Sequence, residues 1–300
     1  MARIYTRYPK YLSLVKEILE QYDIPVTVRQ IYYRVVSDPY NFLEHTDKSY
    51  NNLKNAIVKM RRLGDIDWRR IIDPTRRAVG GDYPDQGEPD TYINNVLDTM
   101  EDCDNYYNMP MWATQKNYLE VWVEKEALVG VIDVIASPYK VTVFPCKAYG
   151  SFTTLKEAVI DRFSKYPDKE KFILYFGDWD PTGKDADRSL QKNLLEYGFG
   201  EVKIKLERIA IWDYQAKQRN LKSIPAKETD TRYKKFVEEH GKETWEIDAI
   251  PPDELQKMVK EAIESYINPD AWDKREEKIA DNKKYIKGKM VGIMKDIRRN

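Results

Sequence analysis

Three acidic residues stand at the ends of two strand-like segments of the sequence. Glu124 ends the segment YLEVWVE, and Asp178 and Asp180 end the segment KFILYFGDWD. Because the carboxyl ends of parallel strands meet at one edge of a sheet, we expect the three side chains to converge. Converging carboxylates repel one another unless a hard cation lies between them. This pattern predicts a Mg²⁺ site made of carboxylate oxygens.

The same acids also have an ordinary structural explanation. Acidic residues at strand ends often cap the next helix or form a turn, and Asp180-Pro181-Thr182-Gly183 is a good turn by itself. Trp179, between the two aspartates, is expected on the opposite face of the strand, in core packing rather than in base stacking. Residue types and spacing alone leave both explanations open.

The segments around the acids alternate between strands and helices. The predicted strands YLEVWVE, KVTVFP, KFILYFGDWD and VKIKLERIAIW are separated by helical segments. This alternation predicts an α/β domain over residues 116–215, with a mostly parallel sheet and helices on both faces. Residues 216–300 predict a helical C-terminal extension without an obvious strand, and its clearest helix is PPDELQKMVKEAIESY.

Residues 1–80 predict three amphipathic helices followed by a short basic wing. Thr27 is expected to cap the second helix, TVRQIYYRVV, and Gly64 to end the third. The segment DIDWRRIID is interpreted as a strand or hairpin wing, which completes a winged-helix DNA-binding domain. The candidate DNA contacts are basic residues of the third helix and of the wing: Lys54, Arg61, Arg62, Arg69 and Arg70.

The charge balance is zero overall but uneven along the chain. The 50 basic and 50 acidic residues cancel, yet residues 1–80 hold 15 basic against 9 acidic residues and residues 274–300 hold 10 against 4. Residues 81–115 are predicted to be an acidic linker and helix, which begins in a segment rich in Gly, Pro and Asp. Basic ends favour a polyanionic partner, although solvated helix faces would give the same count.

Composition excludes several classes of protein. The mean hydropathy is -0.71 and no apolar run reaches the length of a membrane span, so no membrane partner is expected. The opening MARIYTRYPK lacks the apolar core of a signal peptide, which predicts a cytoplasmic protein. Two cysteines and two histidines, far apart in sequence, predict neither a disulfide framework nor a zinc site.

Two sets of motifs resemble one protein family. VEKEAL at 123–128, KAYGSFTT at 147–154 and GDWDPTG at 177–183 resemble a Toprim domain. The DxDPxG form is most similar to the A subunit of type IIB DNA topoisomerases (topoisomerase VI) and to the related meiotic double-strand-break protein. In that family a winged-helix domain precedes Toprim and carries Arg, three intervening residues and Tyr, which Arg29-Gln30-Ile31-Tyr32-Tyr33 matches. The two sets occur in the family's order.

The resemblance implies a chemical role for each of these residues. Tyr33 would attack a phosphodiester of double-stranded DNA and become joined to a 5′ phosphate, while Glu124, Asp178 and Asp180 hold Mg²⁺. A tyrosine hydroxyl is a poor nucleophile at neutral pH, so a nearby cation is needed. Arg29 lies one helical turn before Tyr33 and would supply it. Tyr33, Arg29 and Glu124 are therefore the candidate catalytic residues.

The helical phase of this segment distinguishes its two tyrosines. Tyr32 shares a face with Val28 and Val35, which predicts a core position for Tyr32 and an exposed position for Tyr33. The family also implies a homodimer in which the tyrosine of one protomer works with the metal site of the other. The sequence contains no GxxxxGK[ST] motif, so an ATPase, if the reaction requires one, would be a separate subunit.

Three functions are compatible with these features. The first is a Mg²⁺-dependent enzyme that cleaves and rejoins DNA by tyrosyl transfer. The second is a Toprim nuclease in which the metal activates water and Tyr33 only contacts DNA. The third is a non-catalytic DNA-binding protein whose binding falls steeply with salt. The pairing of Arg29 with Tyr33 favours the first, because a hydrolytic nuclease has no need of it.

Overall fold

The computed structural model describes residues 2–71, 85–146, 152–197 and 203–297. Side chains are described over the same ranges, except those of residues 2–7, 152–154 and 197. The chain forms two compact units. One comprises residues 1–76 and 117–266, and the other comprises residues 77–116 and 267–300. The KAYGSFTT motif lies outside the residues whose side chains are described. The predicted boundaries between domains stay a prediction.

Helices and a parallel sheet make up the first unit. Its helices are α1 (Ala2–Glu20), α2 (Val28–Val36), α3 (Asp47–Leu63), α5 (Val129–Ala136), α6 (Phe152–Glu157), α7 (Pro181–Tyr197), α8 (Asp213–Gln218), α9 (Tyr233–His240) and α10 (Pro252–Glu264). Its strands are β1 (Tyr118–Val123), β2 (Thr142–Pro145), β3 (Lys171–Phe176), β4 (Ile204–Ala210), β5 (Ile224–Pro225) and β6 (Glu243–Thr244). Helices α4 (Pro89–Glu101) and α11 (Pro269–Ile297) belong to the second unit.

The second unit is held together by contacts between its two chain segments. Trp112 meets Trp272 edge to face, with ring centres 6.0 Å apart. The side-chain oxygen of Gln115 accepts a hydrogen bond of 2.7 Å from the backbone N–H of Asn268, just before α11.

Throughout the described part of the chain, no helix combines the length and apolarity that a membrane span requires.

Local signals define the N-terminal helices as predicted. Thr27 and Gln30 form a capping box at the start of α2, in which each side chain accepts a hydrogen bond from the other residue's backbone N–H. Gly64 ends α3 in the left-handed conformation, at a φ of 75° that favours glycine. The apolar residues of α3, among them Leu53 and Met60, are buried against α1 and α2.

The strand or hairpin predicted for the basic wing after α3 is not formed over residues 65–70, while the winged-helix assignment itself stays a prediction. This segment forms a 3-10 turn, Trp68–Arg70, and Ile71 pairs with Val26 in one isolated parallel bridge. The Asp67 carboxylate accepts a hydrogen bond from the N–H of Arg69, which closes the turn. A side chain that satisfies the backbone in this way competes with strand pairing. The remainder of the predicted wing lies outside the described residues.

The four long strands form one parallel sheet in the order β2-β1-β3-β4, which confirms the predicted α/β fold with a parallel sheet. The chain leaves β1 toward one edge of the sheet and leaves β3 toward the other edge. Since parallel crossovers are right-handed, the helices that follow these two strands belong on opposite faces. A crevice is expected beyond the carboxyl ends of β1 and β3, where ligands bind in open α/β sheets.

Strand β1 is buried along its whole length and includes one charged residue, Glu120. Its carboxylate accepts two hydrogen bonds from Arg162, of 2.7 and 3.0 Å, and one of 2.8 Å from the indole N–H of Trp122. The hydroxyl of Tyr118 adds a fourth, at 3.1 Å. A carboxylate is tolerated inside the sheet because its charge and its oxygens are paired there.

The C-terminal part of the first unit contains short strands, which corrects the expectation of a purely helical extension. Strands β5 and β6 pair antiparallel, and Trp179 forms a bridge with Trp245 through two backbone hydrogen bonds, of 2.8 and 3.0 Å. Trp179 is buried against other aromatic rings, so the core position predicted for it is confirmed. This bridge places the segment that follows Trp245 beside the carboxyl end of β3.

Candidate active site

The carboxyl ends of β1 and β3 bring two of the predicted acids into direct contact. An oxygen of Glu124 accepts a hydrogen bond of 2.8 Å from the backbone N–H of Asp178. The hydroxyl of Tyr175 lies 3.4 Å from the same oxygen. Burial raises the pKa of Glu124, and the negative charge of Asp180 raises it further. The three acids therefore share one edge of the sheet.

The loop that carries the aspartates is held in place by Arg208, a residue of β4 that the sequence did not single out. Its guanidinium donates to the backbone carbonyls of Gly177 and Asp178, at 2.8 and 3.1 Å. Two further bonds, of 2.7 and 2.8 Å, reach the carboxylate of Asp187 in α7. Arg208 thus ties the loop that carries Asp178 to helix α7, at the edge of the sheet where the three acids lie (the acidic edge).

Asp180 has the structural role that its turn sequence indicated. Its carboxylate accepts a hydrogen bond of 2.6 Å from the backbone N–H of Gly183, in the first turn of α7. A Cβ atom at position 183 would overlap the carbonyl oxygen of Asp178, so glycine is required for the close approach. Capping does not remove the negative charge, which acts on Glu124 nearby.

A lysine occupies the centre of the site. The Lys125 ammonium lies 3.2 Å from the Asp178 carboxylate, 3.1 Å from Glu246 and 2.8 Å from Asp248. The other oxygen of Asp178 accepts a hydrogen bond of 2.7 Å from the backbone N–H of Ile247. Burial disfavours the charge on Lys125, but the three carboxylates outweigh it and raise the pKa of the amine.

Glu246 and Asp248 were missed by the sequence analysis. They stand in the segment TWEIDAIPP, about 70 residues after the predicted metal ligands, and the segment carried no recognised motif. The available signal was the pattern of a tryptophan followed by two acids at alternate positions, close to the Asp-Trp-Asp pattern of residues 178–180. What brings the segments together is the backbone bridge between Trp179 and Trp245.

The three predicted metal ligands fit a hard cation only in part. Glu124 and Asp180 are neighbouring carboxylates whose repulsion a cation would relieve. Asp178 does not fit in this arrangement, because Ile247 and Lys125 engage its two oxygens. Within the described residues, no three acidic, histidine or cysteine side chains are arranged as a metal site. Lys125 supplies positive charge where the sequence analysis expected Mg²⁺.

Arg29 joins the same charged cluster from helix α2. Its guanidinium binds the Glu246 carboxylate with two hydrogen bonds, one of them 2.7 Å long from Nε. Burial favours the neutral form of Glu246, but Lys125 and Arg29 outweigh it and lower the pKa of the carboxyl to about 2. The cation predicted to assist Tyr33 is therefore paired with a carboxylate that remains ionised at neutral pH.

The exposed position predicted for Tyr33 is wrong. The residue is only 3% exposed, as is Tyr32. The 3-10 turn Ile247–Ala249 packs on α2, and the ring of His45 lies 5.2 Å from the Tyr33 ring. Burial raises the pKa of Tyr33, and the Glu246 carboxylate raises it further. Helical phase separates the faces of α2, but it carries no information on what covers each face.

The five candidate DNA contacts fall into two groups. Lys54, Arg62 and Arg69 are exposed. Arg70 is instead turned inward and donates to two backbone carbonyls, that of Leu19 in the last turn of α1 and that of Tyr22 just after it. Arg61 lies 3.5 Å from the carbonyl oxygen of residue 71. The first three are thus available to a phosphate backbone, whereas the other two hold the 65–71 segment in place.

No protein-family model matches the sequence, and a comparison with curated proteins finds no match. The resemblance to the topoisomerase A subunit therefore rests on the motifs alone.

Proposed function

We propose that this protein cleaves and rejoins double-stranded DNA by tyrosyl transfer, with Tyr33 as the nucleophile that becomes joined to a 5′ phosphate. One observation carries the proposal. Lys125 contacts both Asp178 at the sheet edge and Glu246, and Glu246 binds Arg29, one helical turn from Tyr33. A continuous ionic network thus runs within one chain from the acidic edge to Arg29, which lies one helical turn from the candidate nucleophile.

The network also suggests where a DNA phosphate would bind. Glu246 is an anion held between two cations, Arg29 and Lys125. A phosphodiester is an anion with similar hydrogen-bonding oxygens, and arginine binds it with the same paired geometry. In the proposed reaction the DNA phosphate takes the place of Glu246 between Arg29 and Lys125. These two cations then neutralise the negative charge that develops on the phosphate oxygens.

Glu124 and Asp180 are the residues that would hold Mg²⁺ in this proposal. When bound, the ion would supply further stabilisation of negative charge on the phosphate oxygens. The exposed residues Lys54, Arg62 and Arg69 would contact flanking phosphates. A homodimer and a separate ATPase subunit stay expectations from the family resemblance. The network within one chain places Tyr33 near the acidic edge of its own protomer, so the proposal does not use the sharing of a site between protomers that the resemblance implies.

A hydrolytic nuclease is the second candidate, and the burial of Tyr33 favours it. Tyr33 is only 3% exposed and its pKa is raised, so its hydroxyl must be uncovered before it can attack DNA. A water molecule activated at the acidic edge would not need that movement. In this case Tyr33 would only support the packing of α2.

Labelled duplex DNA distinguishes these functions. The full chain is incubated with the DNA and Mg²⁺, the reaction is stopped with detergent, and label attached to protein is measured. Tyrosyl transfer predicts an adduct that Tyr33→Phe abolishes and that Tyr32→Phe, the matched control on the same helix, retains. Glu124→Gln is expected to reduce the adduct as well.

Two results would contradict the proposal. Cut DNA without attached protein, unchanged by Tyr33→Phe, would establish the nuclease. Intact DNA in every reaction, together with salt-sensitive binding, would exclude cleavage by the chain alone and favour a DNA-binding protein.

A further inference from the structure

A polar cavity of about 510 Å³ lies beside α2 in the first unit. Its wall includes side chains of both charges and several rings: Arg29, His45, Tyr50, Lys227 and Glu246. The Arg29 guanidinium lies over the Tyr50 ring, 5.4 Å from its centre. The cavity thus connects the charged cluster to the surface that carries His45.

His45 is a cavity residue whose imidazole ring packs against the ring of the candidate nucleophile. Its imidazole ring lies 5.2 Å from the ring of Tyr33 and 5.6 Å from that of Tyr32, measured between ring centres. The Nδ1 atom is buried and makes no hydrogen bond within the described part of the chain. A buried polar atom without a partner is unfavourable in a folded protein, so Nδ1 is open to bind a proton or a donor next to Tyr33.

The other charged groups around Tyr33 are poorly suited to accept its proton. Arg29 and Lys125 are cations. Glu246 is bound by both of them and has a lowered pKa. Asp248 is almost fully buried and lies in an ion pair with Lys125. Among the described neighbours of Tyr33, this leaves the imidazole as the one uncharged base.

The surroundings of His45 keep it uncharged at neutral pH. Burial lowers the pKa of the imidazole below its ordinary value of 6.5, and Arg29 acts in the same direction. Glu246 and Asp47 oppose this shift, as does the backbone of Ser223, without reversing it. A neutral imidazole is the form that can accept a proton.

We propose that His45 is the general base that deprotonates Tyr33, an inference that rests on the proposed tyrosyl transfer. The imidazole takes the phenolic proton as the tyrosine oxygen bonds to phosphorus. The bond from phosphorus to the 3′ oxygen breaks, and that oxygen leaves with the bonding electrons on the side of the phosphorus opposite the tyrosine, where it takes a proton from water. The imidazolium gives its proton to water. Rejoining runs through the same steps in reverse, so the proton is conserved.

Chemical rescue tests this assignment in the full chain. His45→Ala is expected to slow adduct formation at neutral pH by about a hundredfold or more, the usual contribution of a general base. Added imidazole should restore part of the rate in proportion to its concentration, because the cavity and the vacated position can admit it. His45→Ala combined with Tyr33→Phe is the matched control and should stay inactive with imidazole.

A second variant separates catalysis from folding. His45→Gln keeps a polar side chain but cannot accept the proton, and its deficit should shrink as rising pH provides hydroxide. A rate within threefold of wild type in both variants would overturn the role of His45 and leave tyrosyl transfer intact. A deficit that neither imidazole nor high pH reduces, with melting temperature and DNA affinity unchanged, would also overturn it. A wild-type protein that forms no adduct would refute both proposals.

Discussion

Arg208 should be the most sensitive position outside the proposed reaction. Its side chain is 2% exposed and satisfies the backbone carbonyls of Gly177, Asp178, Gly183 and Ile211, in addition to the Asp187 carboxylate. Arg208→Met keeps a long apolar stem but removes every one of these donors. The carbonyls and the carboxylate would then lack partners in a buried place, which is costly for each group.

The size of the effect follows from the loss of one partner of a buried ion pair. Such changes cost about 3 to 5 kcal/mol in the free energy of unfolding. A central value of about 4 kcal/mol corresponds to roughly a thousandfold in the folding equilibrium. For a unit of this size the melting temperature would fall by about 8 to 16 °C.

Thermal unfolding of wild type and variant, followed by circular dichroism, measures this loss. Arg188→Met is the control, because Arg188 is 68% exposed and its ion pair among the described residues is with Asp185, in the same helix. Its removal should change stability by about 0.5 kcal/mol or less. Equal melting temperatures for Arg208→Met and the control would refute the view that Arg208 holds the aspartate loop. Arg208→Lys should fall between the two, since one ammonium cannot reach all the acceptors.

Further changes test other parts of the fold. Glu120→Gln should lower the free energy of unfolding in urea by about 3 kcal/mol, because it leaves Arg162 without its buried carboxylate; a loss below about 1 kcal/mol would contradict this. Thr27→Ala removes the side-chain cap of α2 and should cost about 1 kcal/mol in the same assay. The ion pairs of Glu246 stabilise the fold fully above pH 4.5 and are lost as the pH falls toward about 2. An acid titration of Glu246→Gln should therefore lack part of the wild-type decline, and identical curves would contradict the lowered pKa.

Short-range patterns were sufficient for much of the fold. Thr27 and Gly64 act on backbone groups only a few residues away, so their roles as helix boundaries could be predicted from the chain itself. Strand and helix alternation predicted the parallel sheet, because each strand carries its own apolar pattern. The placement of Glu124 and Asp178 at one edge followed from that topology, and their contact agrees with it.

Long-range packing decided the rest of the candidate site. Tyr33 is covered by a segment more than 200 residues away, and no periodicity within α2 encodes that partner. The same segment brings Glu246 and Asp248 to Lys125. A backbone bridge between Trp179 and Trp245 holds it there. Backbone pairing leaves little trace in residue types, because every residue except proline offers the same N–H and C=O groups.

The predicted wing shows that a local pattern can also indicate the wrong structure. Its alternating apolar and basic residues favoured a strand, yet the Asp67 side chain closes a 3-10 turn and Arg70 bonds to the end of α1. Local sequence thus determined which residues can form helices and strands and which acids end the strands. Tertiary structure alone determined which charges meet around Tyr33, because electrostatic contacts depend on distance in space rather than on separation along the chain.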